Sequence, residues 1–368
     1  MNASKSVLLC AASRSFEMYT AYLIVARRGG HKKVPTYEKF LRHALWSRFH
    51  HPRKRGNTMY QINFTAYGGP DVLRLDEVDD LGPVDGLVRI RVRAAAVNPA
   101  DLRIRQGLMA SRTPDLRFPF QLGFDLAGTL IDDAPGFVQG QPVVATLPWF
   151  ARGGEGSNAQ IVAVDPSWLA PLPESADWAL AGSFPLNALT ADQALGLAAV
   201  EQGQTLLVTG VSGAVGGFAA QIAALRGLRV IGVVNPGDEQ YLDHFGVEAI
   251  VRDDSAEVLR QVTATAPLGV DAVLDFAGIG AAMLAGIHDD GVFIAPAAPM
   301  APPTERGIRV DAVLHRPDGA RLTNLAAAVM AGEVSCRVSE FISMDKAATS
   351  HERAGARGTT GKVVLDFS

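Results

Sequence analysis

Cysteine is close to absent from this chain of 368 residues, which holds Cys10 and Cys336 and no other. Two thiols cannot build a disulfide framework or a four-thiolate zinc site. The sequence therefore predicts a reducing, cytoplasmic setting and no structural zinc lobe. Long charge-free apolar runs are missing too: no stretch of eighteen or more apolar residues free of charge occurs, which argues against a transmembrane helix, and FEMYTAYLIVA (16–26) is too short to span a bilayer. No lysine follows the glycine-rich stretch at 208–217, so a P-loop is excluded. Internal repeats and low-complexity segments are also lacking. A membrane partner is not expected.

What is present is an apolar-rich chain, 48% hydrophobic, long enough for two domains. Charge is unevenly spread: residues 1–58 carry +10 and the remainder −14. A short basic stretch is compatible with nucleic acid, anionic lipid or organelle targeting, and an arginine-rich, acid-poor leader fits a mitochondrial transit peptide. VLLCAA (7–12) has neither a strong basic flank before it nor a clear cleavage site after it, which argues against a secretory signal. A strand-like pattern starts at Met59, in MYQINFTAYGGPDVL. Residues 1–58 are accordingly read as a basic extension, disordered or outside the native start, and no nucleic-acid partner is expected.

From 59 to 186 strand-length apolar segments dominate: LVRIRVRAAAV (87–97), FDLAGTLI (124–131), QPVVATL (141–147) and AQIVAVD (159–165). Arg89, Arg91 and Arg93 alternate with Val88, Ile90 and Val92, the period of a strand with one wet face. Over 187–313 strands alternate with helices. TADQALGLAAV (190–200), AVGGFAAQIAALRG (214–227), DEQYLDHFG (238–246), AEVLRQVTATA (256–266) and AAMLAGIH (281–288) are predicted helices. TLLVTG, LRVIGVV, EAIV, DAVLDFA, GVFIAPA and GIRVDAVL are the strands between them, and their lack of a polar face predicts a parallel sheet covered on both sides. Residues 314–368 are expected to return to the first domain through GKVVLDF (361–367). The fold class is α/β: a β-rich domain followed by a doubly wound dinucleotide-type domain.

VTGVSGAVGG (208–217) is the stretch with the clearest chemistry. A phosphate bound at a helix start needs free backbone N–H groups, close approach and the positive end of the helix dipole. Gly210, Gly213, Gly216 and Gly217 stand as G-x-x-G-x-x-G-G rather than G-x-G-x-x-G, and such spacing also arises from helix–strand packing alone. Position favours the phosphate, because the loop follows a strand, opens a helix and precedes a second strand by one β-α-β length. A dinucleotide pyrophosphate is the expected guest. At the end of the second strand, VVNPGDEQY (233–241) puts Asn235 where an acid would grip the ribose of NAD. No Arg or Lys lies close in sequence, and Asp238 and Glu239 would repel a 2′-phosphate unless they point away. NADPH is favoured, with NADH not excluded.

The ordered motifs YGGPDVLRL (67–75), VRAAAVNPADLRIRQG (92–107), GFDLAGTL (123–130), APLP (170–173), FPLNALTADQAL (184–195), VTGVSGAVGGFAAQIA (208–223), GVDAVLDFAG (269–278) and TTGKVVLDF (359–367) span 59–368. Together they resemble the medium-chain dehydrogenase/reductase superfamily, specifically its zinc-independent quinone oxidoreductase branch, the ζ-crystallin-like proteins. The resemblance implies a GroES-like domain and a Rossmann domain. Zinc alcohol dehydrogenases place a cysteine where this chain has Val97-Asn98-Pro99 and a His-Glu pair where it has Phe124-Asp125. With no cysteine between 11 and 335, that catalytic site cannot be built, and no metal is predicted. His244, His288, His315 and His351 show no ligand spacing and read as surface or helix-end residues.

Without a Lewis acid, reduction of a quinone or an activated C=C bond is easier to support than reduction of an isolated carbonyl, because the conjugated carbonyl carries the developing charge. The resemblance implies NADPH-dependent hydride transfer to a small-molecule quinone or enone. It puts Asn98 near the nicotinamide as the catalytic residue and Thr190 on the cofactor-facing helix. It further implies Gly210, Ser212, Gly213, Ala214, Val215 and Gly216 at the pyrophosphate, Asn235 at the adenosine ribose, and Ala295, Ala297 and Ala298 beside the nicotinamide. Lys362 is read either as facing the cofactor cleft or as a solvated lysine on a closing strand, and plain structural readings stand beside the other two: Asn98 capping a turn and Thr190 as a helix N-cap. Leu122 in place of proline, Asp192 in place of an aromatic, and the proline-rich APAAPMAPP (295–303) depart from the family pattern. An enoyl-thioester reductase and a non-catalytic NADPH-binding protein are the alternatives. A homodimer is common in the family, and GVFIAPAAPM (291–300) suits either a dimer edge or a buried central strand.

Overall fold

The computed structural model describes residues 57–112, 116–148, 152 and 154–368, so nearly all of the basic extension at 1–58 lies outside the described residues. The first strand, β1 (Thr58–Phe64), pairs antiparallel with β2 (Leu73–Asp79). In β3 (Val88–Ala96) the apolar residues Val88, Ile90, Val92 and Ala94 are buried while Arg91 is exposed, the alternation expected of a one-sided strand. Arg89 on the other face is fixed by a bidentate pair with Asp132, at 2.9 and 2.7 Å. The short helix α1 (Pro99–Arg105) follows, started by Pro99 at its first position. Then come β4 (Phe120–Gln121), β5 (Asp125–Leu130), β6 (Pro142–Thr146), β7 (Ile161–Val164), β8 (Ala170–Pro171) and helix α2 (Trp178–Ser183), which Asp177 caps by accepting from the Leu180 N–H at 3.0 Å.

Helix α3 (Pro185–Ala198) runs across the boundary expected at 186/187 and is closed by Ala199 in the left-handed region. It leads into the strands β9 (Thr205–Thr209), β10 (Arg229–Val234), β11 (Glu248–Val251), β12 (Val270–Asp275), β13 (Ile287–Ala295) and β14 (Arg309–Ala312). They form one parallel sheet in the order β11-β10-β9-β12-β13-β14, so the direction of winding reverses between β9 and β12. Helix α4 (Ala214–Leu225) joins β9 to β10, and α5 (Ser255–Thr265), capped by Asp254, joins β11 to β12. Segments 238–246 and 281–288, expected to be α-helices, are instead 3₁₀ turns (Glu239–Phe245 and Gly280–Gly286). Each holds about two turns between strands, too short for the α-helical ladder to outweigh its nucleation cost. Apolar residues of α3 and α4 pack on one face of the sheet with Leu206, Val208 and Leu274; Val258 and Val262 of α5 cover Leu207, Ile231 and Val273 on the other. Both faces are therefore dry, which is why these strands lack a polar side.

Helix α6 (Gly319–Met330), strand β15 (Val338–Ser343), helix α7 (Ala347–Gly355) and strand β16 (Lys362–Asp366) complete the chain. β16 pairs antiparallel with β3, Val364 opposite Ala96, and parallel with β15. The C-terminal segment thus belongs to the sheet β15-β16-β3-β5-β6-β8, with β7 also on β3, while β2-β1-β4 form a separate small sheet. GVFIA lies in β13, between β12 and β14, which is the buried-strand reading of that stretch. Among the described residues no helix is long and apolar enough to cross a membrane.

Candidate functional site

The glycine loop sits at the carboxyl end of β9, next to the point where the strand order reverses. Gly210 turns the chain with φ +71°, and Gly213 is the extended, exposed N-cap of α4. The first helical bond runs from the Gly217 N–H to the Gly213 carbonyl, so the N–H groups of Ala214, Val215 and Gly216 have no intrahelical acceptor. Gly216 is required by contact: a Cβ there would lie 2.3 Å from the Gly210 carbonyl oxygen. The loop is held to the neighbouring strand because the Asn235 N–H donates to Ser212 Oγ at 2.8 Å. Asn235 itself is exposed just past the end of β10.

A basic group does stand beside this strand end, contrary to the reading of the local sequence. Arg337, from the segment preceding β15, donates to the Ser212 carbonyl at 2.9 Å and to both carboxylate oxygens of Asp238, at 2.7 and 3.3 Å. Its guanidinium lies 3.8 Å from the centre of the Tyr241 ring. Hydrogen bonding by Arg337 holds the Asp238 carboxyl below its ordinary range. Asp238 consequently faces Arg337 and does not stand as an uncompensated charge. Nothing near Asn235 in the sequence signals Arg337, because it reaches the loop from the C-terminal segment.

Asn98 is 1% exposed, and both ends of its amide are engaged. Its Nδ2 donates to Asp125 at 2.7 Å; its Oδ1 accepts from Lys362 Nζ at 2.6 Å and from Asn187 Nδ2 at 3.3 Å. The backbone N–H of Asn98 donates to Asp101, whose other oxygen accepts from the Gly123 N–H. Lys362 is buried, not solvated: its ammonium also donates to the Val97 carbonyl at 3.1 Å. Burial pushes Asp101 up to about 7 and Asp125 up to about 6, and lowers the Lys362 ammonium. Asp125 also accepts from the Leu186 N–H at 2.5 Å, which ties this network to the start of α3.

Thr190 lies in the interior of α3 and not at an N-cap; its hydroxyl donates to the Leu186 carbonyl one turn back, at 2.6 Å. On its other side stands His315, three residues beyond β14, with Nδ1 at 3.4 Å from Thr190 Oγ1 and Nε2 at 2.9 Å from Thr146 Oγ1 at the end of β6. The surface reading of His315 and of His351 is thereby corrected. Burial brings both imidazoles down to about 3, and His351 is additionally met by Arg105, whose Nε donates to its Nδ1 at 3.3 Å. Ala295 is buried at the end of β13 with its carbonyl bonded to the Val313 N–H; Ala297 is half-buried and Ala298 exposed, opening a 3₁₀ turn. Asp192, on the same helix as Thr190, pairs with Arg226 and, at 2.7 Å, with Arg321. Among the described residues no group of three His, Cys, Asp or Glu side chains is placed to hold a metal ion.

Comparison with known proteins matches residues 84–174 to the alcohol dehydrogenase GroES-like domain and residues 245–365 to the zinc-binding dehydrogenase family. Quinone oxidoreductase of Sus scrofa is 30% identical over 338 residues, covering 83% of this chain and 97% of that protein. A 2-methylene-furan-3-one reductase of Solanum lycopersicum is 26% identical, covering 82% of this chain and 78% of its own. The solved quinone oxidoreductase of Coxiella burnetii shares the fold, with a TM-score of 0.75 at 24% identity over 85% of this chain and all of that one. The two matched domains in order, the reversed winding at β9 and β12, and the near full-length relative agree: the chain belongs to the quinone oxidoreductases of the medium-chain dehydrogenase/reductase superfamily.

Proposed function

We propose that this protein is a zinc-independent, NADPH-dependent reductase of quinones or α,β-unsaturated carbonyls. The observation that carries the reading is the closed Asn98–Asp125–Lys362 set, two members of which, Asn98 and Asp125, fall in the stretches where the family resemblance puts the ligands of zinc dehydrogenases. Both ends of the Asn98 amide are already bonded there, one of them to the buried Lys362 ammonium, which also donates to the Val97 carbonyl. A metal would have to displace these partners. The name of one relative, an NADPH-dependent alkenal/one oxidoreductase from Arabidopsis thaliana, 33% identical over 167 residues, supports the choice of cofactor and acceptor.

A bound reduced nicotinamide supplies the hydride. The residues present fit such a dinucleotide: Gly210, Ser212, Gly213, Ala214, Val215 and Gly216 make an open turn whose backbone N–H groups suit the pyrophosphate, and Asn235 with Arg337 suits a phosphorylated ribose. Ala295, at the carboxyl end of β13, and Ala297 and Ala298 just beyond it are assigned to the nicotinamide side of the site. Asn98, fully committed and 1% exposed, is assigned as a positioning residue that ties α1, β5 and β16 together under the cleft. Thr190 belongs to the cleft wall. Residues 59–186 and 314–368 are assigned to the catalytic domain and 187–313 to the dinucleotide domain, in a cytoplasmic enzyme.

The test is oxidation of NADPH, followed at 340 nm, with 1,4-naphthoquinone, pent-3-en-2-one and crotonyl-CoA after treatment with EDTA. Turnover of the quinone or enone, undiminished by the chelator, is expected. Turnover of the thioester alone points to the enoyl-thioester alternative, and silence with all three refutes the reading.

A further inference from the structure

We propose that His315 is a catalytic residue whose Nδ1–H donates a hydrogen bond to the carbonyl oxygen of the quinone or enone under reduction. This rests on the reductase reading above and names the group that completes it. His315 follows β14 on the carboxyl side of the parallel sheet, the side on which open α/β sheets bind their ligands. The main chain that carries it is clamped: the Arg316 N–H donates to Gln193 Oε1 at 3.0 Å, and Gln193 Nε2 donates back to the Arg316 carbonyl at 2.7 Å. Gln193 lies on α3, three residues after Thr190.

Hydrogen-bond counting sets the tautomer. The Thr190 hydroxyl has one hydrogen, and it goes to the Leu186 carbonyl at 2.6 Å. Toward His315 Nδ1 that oxygen can only accept, so Nδ1 carries the hydrogen. Nε2 is then a bare acceptor and takes the Thr146 hydroxyl at 2.9 Å. His315 is half-buried, so part of the ring stays accessible, while desolvation lowers the imidazole to about 3 and keeps it neutral at neutral pH. Of the bonds in this set, Nδ1–H to Thr190 is the longest, at 3.4 Å, beyond the usual ~2.7–3.2 Å of an N–H···O bond. Its hydrogen is the one a better acceptor takes over at least cost.

The chemistry asks for such a donor. Reduction brings a hydride to carbon and moves an electron pair onto the carbonyl oxygen; the single proton that completes the reduction comes from water. His315 keeps its own proton and contributes only a hydrogen bond, which strengthens as charge grows on the oxygen. A neutral imidazole locked in one tautomer is always in the donating state. The orientation is inherited from the buried network, since Lys362, Asn98, Asp125, the Leu186 peptide, Thr190, His315 and Thr146 form one hydrogen-bonded series.

Two measurements test this on the full-length protein. In steady state with pent-3-en-2-one, His315→Ala is expected to lose roughly 10²-fold in kcat, the typical effect of deleting one such donor. NADPH affinity should stay unchanged, the melting temperature of His315→Ala should fall by only a few degrees as Thr146 loses its acceptor, and His315→Asn, whose amide reaches the Nδ1 position, should recover at least tenfold in kcat. Independently of turnover, the carbonyl signal of [2-13C]pent-3-en-2-one bound with oxidised NADP should move downfield in the wild type and not in His315→Ala. Unchanged kcat in the alanine variant, a kcat loss that the asparagine variant does not recover, or an equal carbonyl signal in wild type and variant overturns the proposal. If the wild type turns over neither acceptor while the signal difference persists, the reductase reading falls and the contact stands.

Discussion

Gly213 and Gly216 are three residues apart in one loop, and the structure gives them different reasons to be glycine. At Gly216 a Cβ would lie 2.3 Å from the Gly210 oxygen, 2.7 Å from its carbonyl carbon and 3.0 Å from the Val211 nitrogen. All three are backbone atoms of the turn leaving β9, so relief requires the start of α4 to move away from the sheet by about 1 Å, and overpacking of that kind costs roughly 1–3 kcal/mol. At Gly213 the nearest atom is the Gly210 oxygen at 3.2 Å, and φ −86°, ψ 163° is open to any residue. Gly213→Ala should therefore change stability by less than about 0.5 kcal/mol. Its methyl group would nonetheless stand over the N–H groups of α4, where a phosphate must approach. Loss of one charge-assisted hydrogen bond, about 1.5–3 kcal/mol, predicts a rise in the NADPH dissociation constant of roughly 10- to 100-fold. Thermal unfolding without cofactor and fluorescence titration with NADPH separate the two effects. Gly216→Ala should melt about 2–6 °C lower, whereas Gly213→Ala should melt as the wild type does and bind poorly. A Gly213→Ala protein that binds NADPH within twofold of the wild type would refute the pyrophosphate assignment, and an unshifted Gly216→Ala would refute the packing argument.

Asp238→Asn leaves Arg337 without its counter-charge beside Ser212; NADPH affinity should rise about fivefold, the equivalent of ~1 kcal/mol for a partly exposed pair, with NADH affinity unchanged. Equal change for both cofactors in a fluorescence titration would remove Arg337 from the 2′-phosphate. Lys362→Met leaves Asp125 and Asp101 buried without their cation, and should lower the unfolding free energy in urea by about 3–5 kcal/mol; a loss under ~1 kcal/mol would show the network to be dispensable. His351 has its folded pKa depressed from 6.5 to about 3 by burial and Arg105. Its contribution is therefore complete above pH 6.5 and is lost as pH falls toward 3. Relative to His351→Leu, the wild type should lose stability at up to ~1.4 kcal/mol per pH unit between pH 6 and 4, and parallel pH profiles of the two proteins would contradict the assignment.

Most of the frame was legible because it is written in periodicity. Alternating Val88, Ile90 and Val92 in β3, the two-sided apolar strands from β9 to β13 and the glycine turn at 210–217 are local signals, and local sequence carries them. The polar chemistry was not, because its parts meet only in three dimensions. Arg337 is brought to Ser212 by β15 pairing with β16 and β16 with β3; nothing within VVNPGDEQY requires it. The two readings of Lys362 stay open in the sequence since GKVV closes a strand as well with a wet lysine as with a buried one, and only Asn98 and the Val97 carbonyl, more than 260 residues earlier, distinguish the two. His315 showed no ligand spacing because its partners are Thr146 and Thr190, hydroxyls that leave no mark when read for metal or triad patterns. One residue nevertheless connected the two kinds of information. Asn98 was singled out, and the structure places it at the centre of the buried polar set; what the sequence could not say is that all its hydrogen-bonding capacity is spent inward. A side chain so committed acts on the cleft through Asp125, Leu186 and Thr190, which moves the search for the group that meets the acceptor from Asn98 to the far end of that series, at His315.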